Sequence, residues 1–246
     1  HAKHDGLCKR SPLLYQNESP SEISDSSVSG FCVMAVKAAR AAKLQVAEIN
    51  FTDGRNWYNK VTTDEGWVGY QSPLQGSNRY QLQGGPRSST ALVAVSLACR
   101  FWIAEALQDR SCLPTNTLPT NQAKILLEQL PDGTNANRPP APPVKRVTPP
   151  LQLKMQVMQP VQSVYYYYCY NGTLAMFQMG GEGWKTWNTA LKQALLPLQK
   201  KEGCWKGSWP PGVGFEDNGI VYATAMAVLC LEVYYRYPKI YVREAR

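Results

Sequence analysis

Acid–base chemistry needs titratable side chains held together, and this chain of 246 residues scatters them. Its two histidines, His1 and His4, both stand at the N-terminus, which removes most imidazole chemistry from the rest of the chain. No two aspartates lie within four residues of each other; Asp25, Asp53, Asp64, Asp109, Asp132 and Asp217 are each isolated. Four acids, Asp25, Glu182, Asp217 and Glu232, are expected at or near helix ends. There a carboxylate bonds free N–H groups and offsets the helix dipole. A sharper reading makes Asp25, Glu182 and Asp217 candidate acids on the open face of a helical barrel. Two facing carboxyls in such a place cleave a glycosidic bond. No residue is assigned as catalytic.

The seven cysteines, Cys8, Cys32, Cys99, Cys112, Cys169, Cys204 and Cys230, form no CxxC pair. That spacing argues against a structural zinc site, so no metal is expected. The odd count argues against a disulfide framework. Cys32, Cys99, Cys169 and Cys230 fall in apolar helical runs and are expected to pack as small hydrophobes. Nothing in the pattern calls for a cofactor. The formal net charge of +8 favours acidic partners. However, no basic stripe with interleaved aromatics is present, and no nucleic acid is expected as a partner.

An apolar content of 44% supports a real core in one large domain or two small ones. Helices are expected over 27–46, with an apolar face through Phe31, Met34, Ala35, Ala38 and Leu44, and over 89–108, 120–130, 164–179, 184–196 and 219–235. Ser26 or Ser27 is the expected cap of the first, and a short, weak helix is expected at 56–61. The last helix carries no charge from Gly219 to Leu231 and is expected to be buried on all sides. Residues 1–24 read as a polar tail, 25–130 as a first helical half, and 131–162 as a Pro-rich insertion or linker. Residues 163–237 read as a second helical half and 238–246 as a basic tail. The uncharged run from Met155 to Gly181 holds four glutamines and Pro160, so no membrane span is expected there. The chain begins with His and shows no signal-peptide pattern, so it reads as a fragment or processed piece, and its compartment is not legible.

Four segments align: SGFCVMAV from Ser29, TALVAVSL from Thr90, NGTLAMFQ from Asn171 and TAMAVLCL from Thr224. Each opens on a small polar and then a small residue before an apolar run. Their spacings of 61, 81 and 53 residues suit helix-pair repeats, the longest containing the Pro-rich insertion. Small residues at these points allow close helix approach, and the four segments are expected to form an inner layer of roughly parallel helices.

Gln199, Gly203 and Trp205 have the spacing Gln-x-x-x-Gly-x-Trp. Gly203 suits a left-handed turn after a helix, and Gln199 reaches freed backbone groups. Trp205 is expected to stack there, largely buried. This spacing resembles the QW motif of the prenyltransferase and squalene-cyclase repeat family, and residues 64–73 look like a degenerate copy. The resemblance implies an all-α fold, an α/α toroid with an inner barrel and an outer ring. About four inner helices are present, so a partial barrel is expected.

Three chemistries of that family lack their motifs in this chain. There is no Asp-x-Asp-Asp acid, no Asp/Cys/His zinc set, and no thioester string around Cys204. The resemblance therefore implies an interaction or scaffold module of a larger protein, with other domains of that chain or a protein as partner. The alternatives are a toroid enzyme or binder for an isoprenoid-like apolar ligand, and a carbohydrate-active toroid. Tyr167, Trp184 and Tyr222 are the candidate lining of a ligand cavity. Tyr165 to Tyr168 are consecutive, so at most one or two of them face the same space.

Overall fold

Uncharged helical runs need partners on several sides, and that need orders the layers. A computed structural model describes residues 25–73, 90–131, 165–212 and 219–240. The tail 1–24, nearly all of the 131–162 insertion, Asp217 and residues 241–246 lie outside them. Of the described residues 68% are helical and none forms a named strand, so the fold is all-α. The helices are α1 (Ser26–Ala41), α2 (Ile49–Lys60), α3 (Thr90–Leu107), α4 (Thr117–Leu127), α5 (Tyr166–Met179), α6 (Gly181–Leu195), α7 (Gly219–Leu231) and the short α8 (Val233–Arg236). The weak helix expected at 56–61 is the end of the longer α2.

Helix α3 is buried around nearly its whole circumference and packs against α1, α2, α4 and α5. It is long and apolar enough by composition to cross a membrane, yet 83% of it is buried within the fold. Along one layer α1 packs on α3, α3 on α5, and α5 on α7. Helices α2, α4 and α6 pack on that layer. Gly30 of α1 lies against Val95 and Cys99 of α3, and Arg40 Nη1 donates to the Ala106 carbonyl at 2.9 Å. Both contacts advance together, so α1 and α3 run in the same direction. Gly172 of α5 meets Trp187 of α6, while Phe177 meets Trp184, so α5 and α6 are antiparallel.

The small residues of the repeat sit where helices approach closely. A Cβ at Gly30 would collide with Val95, and one at Gly172 with the Trp187 ring. Two of the four segments nevertheless lie inside their helices rather than at the start, since α5 begins at Tyr166 and α7 at Gly219.

Several expectations need correction. The cap of α1 is Asp25 itself, whose carboxylate accepts from Ser27 N at 2.7 Å and Val28 N at 3.3 Å. Ser26 is instead buried; its Oγ donates to the Gly69 carbonyl at 2.7 Å and accepts from Trp57 Nε1 at 3.2 Å. The apolar face read for α1 is largely outward: Phe31 is 54% exposed, Leu44 63%, and Ala35 and Ala38 are exposed as well. Close approach through Ser29, Gly30 and Val33 selected the buried side. Likewise α7 is not buried all round. Ala223, Ala227 and Cys230 face the core, while Val221 is 78% and Val228 44% exposed. Both helices stand at an end of the α1–α3–α5–α7 row, so among the described residues each has a row neighbour on one flank only. Finally, Cys32 is disulfide-bonded rather than a free core thiol, with its partner outside the described residues.

A few side chains meet between α1 and α5. Phe31 meets the Tyr167 ring at 6.1 Å between centroids, and Tyr170 Oη donates to Met34 Sδ at 4.0 Å. Lys37 Nζ stands 4.9 Å from the centroid of the Tyr237 ring, whose hydroxyl lies 3.2 Å from that of Tyr170.

Candidate functional site

The turn after α6 is built as its spacing implies in part. Helix α6 stops at Leu195 and tightens into a 3₁₀ turn, Leu196–Leu198, that contains Pro197. Gly203 takes φ +78°, a left-handed conformation that suits glycine. Gln199 Nε2 donates to the Gly207 carbonyl at 3.0 Å, and Lys200 pairs with Gly207 and Ser208 through two backbone bonds. Trp205 departs from expectation. It lies at the tip of this loop, 53% exposed. Its place is taken by Trp209, 3% exposed, whose Nε1 donates to the Leu195 carbonyl at 2.7 Å. That carbonyl belongs to the last turn of α6, where carbonyls lack helical donors. The backbone N–H of Trp209 is bound by Thr224 Oγ1 at 3.1 Å, which ties the loop to α7. The available signal was a second indole just before Pro210 and Pro211, after the loop rather than within it.

The candidate acids are placed apart. Asp25 caps α1, and Glu182 is exposed in the first turn of α6, paired with Lys185 at 2.6 Å. Asp217 lies outside the described residues. Glu232 pairs with Arg236 at 2.7 Å. The candidate lining aromatics belong to separate contacts. Tyr167 meets Phe31 and Tyr165, and burial pushes its hydroxyl pKa well up. Trp184 meets Phe177 and Tyr234 edge-on at 5.3 Å and 6.4 Å. Tyr222 is partly buried against the core on α7, and burial raises its pKa too.

A different polar cluster lies between α2, α3 and α4. Arg100 stands in the middle of apolar α3 and is 3% exposed. Its Nε donates to Ser96 Oγ at 3.3 Å and its Nη1 to Asn59 Oδ1 at 2.8 Å. Its Nη2 donates to the Tyr58 carbonyl at 2.8 Å and to Thr62 Oγ1 at 3.1 Å. All these acceptors are neutral, and Cys112 adds a thiol beside the guanidinium. Burial lowers the pKa of Arg100. The nearby Cys99 thiol is pushed up to about 12 by burial, so it stays neutral and supplies no counter-charge. Asn59, Thr62, Asp64, Thr117 and Leu118 join Arg100 around a cavity of about 330 Å³. On the inner side Gln122 Nε2 donates to the Gly66 carbonyl at 3.1 Å and to Ser96 Oγ at 3.3 Å, while its Oε1 is buried without a partner. The sequence signal for this cluster was a lone Arg in the otherwise uncharged run from Thr90 to Ala104.

Among the described residues no group of three His, Cys, Asp or Glu side chains is placed to hold a metal ion. Comparison with protein-family models, with curated proteins and with solved structures finds no match to this chain.

Proposed function

We propose that this chain is a non-catalytic helical-repeat domain of the prenyltransferase and squalene-cyclase type, arranged as a partial α/α toroid. It serves as an interaction or scaffold module of a larger protein or assembly. The observation that carries this reading is the pair of apolar faces that stay exposed, among the described residues, on the two helices that end the row. Val28, Phe31 and Ala35 lie outward on α1, and Val221, Ala225 and Val228 on α7. Exposed apolar side chains that share one helix face support an interaction surface there.

Sedimentation velocity over a range of concentrations tests the proposal. The wild-type chain is expected to associate through these faces, and Phe31→Glu or Val221→Glu to return it to monomer without loss of helical circular dichroism. A chain that stays monomeric throughout and binds a polyprenyl alcohol saturably would instead favour the binder.

A further inference from the structure

We propose that the Arg100 cavity binds a small organic monocarboxylate that carries a hydrogen-bond donor at its other end. The first warrant is charge. A buried guanidinium needs a counter-charge, or its desolvation goes uncompensated. Among the described residues, every hydrogen-bond acceptor of Arg100 is neutral. The second warrant is space. The cavity on which Arg100 opens is about 330 Å³, at the lower end of the range for small-molecule sites.

The lining narrows the chemistry. Arg100 supplies the positive charge, and the hydroxyl of Thr117 supplies a donor for a carboxylate oxygen; the Thr62 hydroxyl is already spent on the Tyr58 carbonyl. Leu118 offers a short apolar wall for a carbon chain. Asp64, exposed on the turn after α2, sets one negative charge at the rim. That charge opposes a dianion such as phosphate and accepts a bond from an amine or hydroxyl. A carboxylate on Arg100 with an amine or hydroxyl toward Asp64 satisfies both ends. Binding there leaves the outer faces of α1 and α7 free, so it is independent of the interaction proposed above.

The test is an NMR titration of the full ¹⁵N-labelled chain, reading the Nε–H cross-peak of Arg100. The probes are β-alanine, lactate and inorganic phosphate. The expected result is a saturable shift with β-alanine and lactate, and binding of phosphate weaker by about tenfold or more. Asp64→Asn, an exposed position that leaves the fold intact, is expected to narrow that gap by weakening β-alanine and strengthening phosphate. Arg100→Gln is expected to abolish binding of all three where it folds. No shift of the Arg100 resonance with any probe at about 10 mM, tenfold above a millimolar Kd, would overturn the proposal. Equal binding of phosphate and β-alanine, unchanged in Asp64→Asn, would overturn it as well.

Discussion

Replacing Trp209 by alanine is expected to destabilise the chain far more than the same change at Trp205. Trp209 is 3% exposed and Trp205 is 53% exposed, so only the first leaves a cavity when truncated. Deleting a fully buried tryptophan side chain costs about 3–5 kcal/mol through lost transfer free energy and the void left behind. Trp209→Ala also deprives the Leu195 carbonyl of the indole donor now 2.7 Å away. Water replaces part of that bond, because the loop lies at the surface, so this adds about 1 kcal/mol at most. Trp205 holds no such position, and its removal is expected to cost less than about 1 kcal/mol. Urea unfolding followed by far-UV circular dichroism reads the difference. With m of about 2 kcal/mol/M, Trp209→Ala shifts the midpoint by roughly 1.5–3 M, and Trp205→Ala by less than about 0.5 M. Trp209→Phe separates the two contributions, keeping most of the apolar burial while losing the donor. Equal losses at both positions, or the larger one at Trp205, would refute the assignment of Trp209 as the anchor of the loop.

Gly172→Ala is expected to cost about 1–3 kcal/mol, because its methyl would meet the rigid, buried Trp187 ring; thermal melts check it. Ser26→Ala is expected to cost about 1–3 kcal/mol, since it leaves the Trp57 indole N–H without its acceptor in a buried place; denaturant titration reads that loss. At Asp109 the backbone N–H and hydroxyl of Ser111, with Arg55 at 3.1 Å, hold the carboxyl pKa below its usual value. A folded pKa below the unfolded one adds stability above the unfolded value, which is lost as pH falls through the folded value. Asp109→Asn is therefore expected to lower Tm at pH 7 and to flatten the loss of Tm on acidification. An unchanged acid slope would contradict it.

Helix positions were legible because apolar runs and their Gly and Pro boundaries set them locally. Helix α3 is observed at Thr90–Leu107 against an expected 89–108, and α6 ends beside Pro197 as its ring requires. Facing was less legible. On α1 the larger apolar residues turn outward, because the tight approach to Val95 through Gly30 decides which side is buried. A hydrophobic pattern ranks side chains by transfer free energy, and shape complementarity outranked it here. On α7 the uncharged sequence implied burial on all sides, but a helix at the end of a row has too few neighbours to supply it. The tryptophan that anchors the turn was misplaced by four residues, since spacing does not determine which indole folds back on the helix end. The Arg100 cluster escaped sequence reading altogether: Asn59, Thr62 and Ser96 reach it from two elements, and only the fold joins them.

Hydroxyl-radical footprinting of the chain across a range of protein concentrations tests the central claim most directly, since it reads core, loop and outer faces at once. In dilute solution Phe31, Trp205 and Tyr235 are expected to label quickly, and Trp102, Trp187 and Tyr168 to be protected. As concentration rises, Phe31 and Val228 are expected to become protected together, while Trp205, outside both faces, keeps its rate. Labelling of Phe31 and Val228 that does not change with concentration would contradict the interaction role, and protection of Trp205 in the dilute chain would contradict the fold of the loop.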